Sequence, residues 1–69
     1  MGLYKYSIDG SRLSLNDRKK LMQLLDDYSD SGLIYVDIKK GLYQAFFEEN
    51  VNVSSLPFPT GTILSRIYQ

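Results

Sequence analysis

Leu33-Ile34-Tyr35-Val36-Asp37-Ile38-Lys39-Lys40-Gly41-Leu42-Tyr43-Gln44-Ala45-Phe46-Phe47-Glu48 is the stretch on which the fold turns. It reads as a β-hairpin. Both arms alternate, and Lys40-Gly41 between them suits a tight turn in which glycine supplies positive φ. A turn at those two residues sets Lys39 opposite Leu42, Ile38 opposite Tyr43 and Asp37 opposite Gln44. Val36 then faces Ala45, Tyr35 faces Phe46 and Ile34 faces Phe47. One face collects Ile34, Val36, Ile38, Tyr43, Ala45 and Phe47. The other collects Tyr35, Asp37, Lys39, Leu42, Gln44, Phe46 and Glu48. A slip of one residue would mix the two sets, so the alternation favours this register.

Residues 3–8 before the hairpin read as a strand, with Tyr4, Tyr6 and Ile8 on one face and Leu3, Lys5 and Ser7 on the other. Asp9-Gly10 then suits either a turn into a short return strand over Ser11, Arg12 and Leu13, or a loop opening into a helix. Ser14 fits an N-cap whose hydroxyl accepts from the Asp17 N–H, with the Asp17 carboxylate reaching back. The helix is expected from residue 15 to roughly residue 28 or a few residues beyond. Leu21, Leu24, Leu25 and Tyr28 form one apolar stripe, widened by Met22. Ser29, Asp30 and Ser31 are expected in its last turn, with Gly32 as the stop. Its charges run against the macrodipole: Arg18, Lys19 and Lys20 lie near the start, Asp26, Asp27 and Asp30 near the end. No oppositely charged i,i+4 pair offsets this, so these charges either reach other elements or face solvent or a partner.

Residues 50–59 contain Pro57-Phe58-Pro59 and read as a loop, because two prolines exclude a central strand. Residues 62–68 suit a helical turn or, by the alternation of Ile63, Ser65 and Ile67, a strand. A strand is preferred, since a small open sheet gains most from another edge partner. The expected fold is α+β: a small antiparallel or mixed sheet of three to five short strands, one α-helix packed on one face, in a single domain. Tyr4, Tyr6, Ile8, Ile34, Val36, Ile38, Tyr43, Ala45 and Phe47 would meet Leu21, Leu24, Leu25 and Tyr28.

Composition narrows the function. The chain has 69 residues, eight Lys+Arg against eight Asp+Glu, and neither histidine nor cysteine. So short a chain buries a small core, and disulfides are unavailable to support it. Catalysis lacks its usual parts. Histidine is missing as a base, Ser14 and Lys20 are too far apart to act together, and the carboxylates of Asp26-Asp27 and Glu48-Glu49 point apart. No catalytic, cofactor or small-molecule substrate site is expected. Metal sites lose their commonest ligands. Asp27-x-Ser29-x-Ser31-Gly32 echoes the opening of a calcium loop, but the twelfth position is Ile38 rather than glutamate, and the stretch reads better as a helix end. Asn52-Val53-Ser54 matches a glycosylation sequon. No secretion signal or membrane span is seen, and the cytoplasm is the expected location.

Zero net charge gives no long-range attraction to nucleic acid or anionic lipid. Six tyrosines and three phenylalanines make the chain rich in the residues that surfaces use to associate. The expected function is therefore a non-enzymatic protein-binding module: an accessory protein, adaptor or inhibitor, or a homodimer. Its partner would meet Tyr35, Leu42, Phe46, Leu3 and Phe58, unless the Pro-Phe-Pro segment covers that face, or would add to an exposed strand edge. The alternative is a single-stranded nucleic-acid binder that stacks bases on Tyr35 and Phe46.

Overall fold

The computed structural model describes residues 2–68, leaving aside the side chains of residues 31–35. Strand β1 spans Leu3–Asp9, helix α1 Leu15–Tyr28, β2 Asp30–Asp37, β3 Leu42–Glu48 and β4 Ile63–Ile67, with a single 3-10 turn at Val53–Ser55. The α+β expectation holds, with one helix and a four-stranded antiparallel sheet in the order β2-β3-β1-β4. The C-terminal segment is the strand its alternation suggested.

The connectivity is that of a split β-α-β fold. β1 and β2 run parallel with β3 between them; β3 and β4 run parallel with β1 between them. The first crossover is α1. The second, over residues 49–62, carries no helix beyond the 3-10 turn. The two crossovers run in opposite directions and step toward opposite edges. The right-handed rule therefore lays both on the same side of the sheet. The packing agrees. Leu21, Leu24 and Leu25 of the helix, Val53 of the 3-10 turn and Leu13 form one core with Ile8, Tyr43, Ala45 and Phe47, and Leu56 and Phe58 pack against it.

Helix α1 begins where expected. Ser14 is extended, and its Oγ accepts the Asp17 N–H at 3.1 Å. The Asp9-Gly10 step makes no return strand. The Asp9 carboxylate accepts the Ser11 N–H and Leu13 N–H bonds to the Gly10 carbonyl, which makes a compact loop into the helix. The helix ends earlier than expected, at Tyr28. Ser29 is extended (φ −79°, ψ 152°) and returns both its N–H and its hydroxyl to the Leu25 carbonyl. That satisfies the carbonyl without a left-handed glycine, so Gly32 is not a helix stop and lies inside β2.

The hairpin exists, but its register differs from the expected one. Tyr35 stands opposite Tyr43, Ile34 opposite Gln44, Leu33 opposite Ala45 and Asp37 opposite Leu42, with irregularities between Asp30 and Leu33 and between Tyr35 and Asp37. The connection is residues 38–41 rather than Lys40-Gly41 alone. It closes through Gly41 N–H to the Ile38 carbonyl and Lys40 N–H to the Asp37 carboxylate. An odd slip changes faces: Val36 and Ile38, expected in the core, are 53% and 54% exposed. Tyr28, also expected inside, is exposed on the helix. The core face of β3 is as anticipated, with Tyr43, Ala45 and Phe47 buried.

Arg18 explains part of the reversed helix charge. Its Nε donates to the Gly10 carbonyl at 3.2 Å, Nη1 to that of Lys39 at 3.3 Å and Nη2 to that of Ser11 at 2.9 Å. One guanidinium thus ties the β1–α1 loop to the β2–β3 turn, where Gly10 N–H also bonds to the Gly41 carbonyl at 2.8 Å. These bonds offset the unfavourable place of a cation in the first turns. Arg18→Met is expected to lower stability by about 1–2 kcal/mol, since charge-assisted bonds contribute about 1.5–3 kcal/mol and water replaces part of them here. Arg18→Lys should recover little, because an ammonium lacks the planar fork. Urea denaturation of the three chains checks both; equal midpoints would show that the clamp contributes nothing.

Candidate functional site

With both crossovers on one side, the other face of the sheet is the candidate site. Strand alternation and the observed pairing set out its rows. Asp30, Phe46, Lys5 and Ile67 lie across one row. Ile34, Gln44, Ser7 and Ser65 lie across the middle row, so Ile34, expected in the core, takes a register position on this face instead. Asp37, Leu42, Asp9 and Ile63 lie across the next. Leu3, opposite Glu48, extends the Phe46 end. The face is therefore two apolar bands, each carrying charge, separated by a belt that is polar on β3, β1 and β4 and has Ile34 at its β2 end.

Leu3 and Ile63 are nearly half exposed, while Leu42, Phe46 and Ile67 are half-buried. The Lys5 Nζ stands 5.9 Å from the Phe46 ring centroid, within cation–π range and partly desolvating the aliphatic stem. Asp9 sits at the far end of β1. Hydrogen bonding to Ser11, through its side chain and then its backbone, holds the Asp9 carboxyl below the usual aspartate range, with Arg12 adding and desolvation opposing. The group is an anion at neutral pH. The face thus carries a cation at one end of β1 and an anion at the other.

Of the residues proposed from sequence, Leu3, Leu42 and Phe46 come together on this face. Phe58 does not; it packs against the core on the helix side, which also means that the Pro-Phe-Pro segment leaves this face bare. Tyr35 is not opposite Phe46 as expected but opposite Tyr43, and its side chain lies outside the described residues. The paired Tyr35/Phe46 platform is therefore not formed. Ile63 and Ile67 join the site without having been expected there. Their signal was present in the alternation of Ile63, Ser65 and Ile67, and needed only the knowledge that β4 pairs with β1.

A second feature lies at the end of β1 and β4, where a depression of about 230 Å³ is bordered by Tyr4, Phe46, Arg66 and Tyr68. The Arg66 guanidinium is 3.4 Å from the Tyr4 ring centroid and 4.7 Å from that of Tyr68. Arg66 is opposite Tyr6 and Lys5 opposite Ile67, so the two cations leave opposite faces of the sheet, yet both border this depression. The calcium-like stretch is split between structures, with Asp27 in α1, Ser29 at its cap and Ser31-Gly32 in β2. Among the described residues, no group of three or more Asp, Glu, His or Cys is arranged to hold a metal. Among them, too, no helix is long and apolar enough to cross a membrane.

No protein family, curated protein or solved structure matches this chain.

Proposed function

We propose that the chain is a non-enzymatic protein-binding module of the cytoplasm that docks a protein partner on the open face of its sheet. One observation carries the reading: both crossovers lie on the other side, so the bands of Leu3, Phe46 and Ile67 and of Leu42 and Ile63 have no layer over them. A two-layer domain ordinarily keeps such a face polar. Here β3 and β4 each present two apolar side chains outward and β1 adds Leu3, the pattern of a surface meant to be covered. Phe46 at the centre, ringed by Lys5, Leu3 and Ile67, is the expected anchor.

The test is capture of protein from the native cell by the immobilised chain and by the Leu3→Ser/Phe46→Ser variant. The variant is expected to keep the helix signal in circular dichroism and to lose retained protein about tenfold or more, the scale of one lost anchor. An identical retained set for both chains would overturn the reading. Strong binding of a labelled single-stranded oligonucleotide, falling steeply with salt, would replace it with the nucleic-acid alternative.

A further inference from the structure

We propose that the partner is a second copy of this chain, stacked face to face about a two-fold axis that runs across the strands through the Ser7 row. This deepens the binding-module reading and rests on it. The face is self-complementary, as an isologous interface requires of its own surface.

Take the axis through Ser7, Gln44 and Ser65. Rotation about it lays β1 on β1 with its direction reversed. Lys5 of each copy then meets Asp9 of the other, and two opposite-charge pairs form from one operation. Phe46 meets Leu42, and Ile67 meets Ile63, each contact occurring twice. The middle row of Ile34, Gln44, Ser7 and Ser65 lies on its own image. Apolar bands thus meet apolar bands and the cation meets the anion. Asp30 over Asp37 is a like-charge contact, but it falls on the outer strand β2. Aligned twisted sheets cross at about 30°, so this corner splays into solvent, where salt screens it.

Two other two-fold stackings of the same face do worse. An axis along β1 places Lys5 on Lys5 and Asp9 on Asp9. An axis along the strands between β1 and β3 sets Asp9 on Leu42, Glu48 on Leu3, Asp37 on Ile63 and Asp30 on Ile67, which desolvates four carboxylates against apolar groups. Charge complementarity selects the transverse axis.

The face is small. Four strands about 4.8 Å apart and some five residues along each strand cover roughly 320 Å² per copy. Twice that is below the roughly 1,200 Å² of standard interfaces, so association is weak and is read up to about 1 mM. The small net charge leaves little repulsion between copies to oppose it.

The test uses complementary charge variants in sedimentation equilibrium, with circular dichroism as the fold control. Lys5→Glu and Asp9→Lys should each weaken self-association about tenfold or more. Their equimolar mixture should return to within a few-fold of the wild type, because both pairs across the mixed dimer are again opposite in charge. Ser65 is exposed on an edge strand and lies near its own image, so Ser65→Arg and Ser65→Asp form a second such set, independent of the Asp9 turn. Each alone should dissociate and the mixture should associate. If the wild type self-associates but neither mixture recovers, the transverse two-fold is overturned while the binding face stands. A wild type that is monomeric at 1 mM overturns the second copy altogether. In that case protein capture lost on Leu3→Ser/Phe46→Ser keeps the module reading, and unchanged capture removes it too.

Discussion

Phe47→Ala is expected to leave the chain largely unfolded at room temperature. Phe47 is fully buried on the core face of β3. It stands opposite Tyr4 and meets the Tyr6 ring edge-on, with centroids 5.7 Å apart and planes at 84°. Truncating a buried phenylalanine costs about 3–5 kcal/mol, because transfer energy is lost and a cavity remains. At about 0.05–0.15 kcal/mol per residue, a chain of 69 residues has roughly 3–10 kcal/mol in total. The loss is comparable to the whole. The neighbouring Phe46 supplies the control. It is half-buried on the opposite face, and Phe46→Ala should cost about 1 kcal/mol or less, in line with its partial burial. Thermal and urea unfolding of the two variants reads the contrast. Similar losses at both positions would mean that the alternation of β3 is not the one described.

Gly41→Ala carries the second large effect, near 2–4 kcal/mol, and its source is local backbone geometry. Gly41 has φ +74°, where a side chain costs about 1–2 kcal/mol. A Cβ there would also lie 2.9 Å from the Gly10 carbonyl oxygen and 3.0 Å from the Arg18 Nε. Relieving that contact means moving the loop that the Gly10–Gly41 bond and the Arg18 guanidinium hold together. Gly61→Ala separates the two contributions. Gly61 has φ +102°, but its nearest neighbour would be Leu13 Cδ2 at an ordinary 3.4 Å, so only the backbone term applies. Denaturant midpoints should place Gly41→Ala at least 1 kcal/mol below Gly61→Ala, a margin set by the clash and the hydrogen bonds it disturbs. Equal effects would show that the junction of the two loops yields without cost.

Both effects arise where sequence reading met its boundary. Phe47 was legible: Tyr43, Ala45 and Phe47 alternate with polar or mixed neighbours, so the core face of β3 follows from a period of two. The strand opposite was not. Leu33, Ile34, Tyr35 and Val36 are apolar at every position, so an odd slip exchanges one apolar set for another, and patterning assigns no cost to the error. Lys40-Gly41 resembles a two-residue turn. The real connection of residues 38–41 uses the same glycine in the same left-handed region as the last of four residues. Glycine marked the place of the turn but not its length.

The candidate face shows the same division. Leu3, Leu42 and Phe46 follow from alternation within single strands, and the structure does place them together. Tyr35 depended on the hairpin register, and Phe58 on where a proline-rich loop would lie. Neither could be known locally, since a loop's path is set by the core it closes over. Here Val53, Leu56 and Phe58 draw it to the helix side.

The chain by itself determined the helix with its serine cap and the inward residues of β1 and β3, because each follows from dihedral preference and periodicity among near neighbours, whereas residues 63–67 suited helix or strand until β1 gave them a partner. The tertiary structure alone decided that β1 sits between β3 and β4, that β2 pairs three residues away from its expected register at Tyr35, and that both crossovers share one side. These are choices between arrangements that satisfy local rules equally well. They are settled by which arrangement buries Ile8, Leu21, Tyr43 and Phe47 together, a condition that exists only after distant parts of the chain have met.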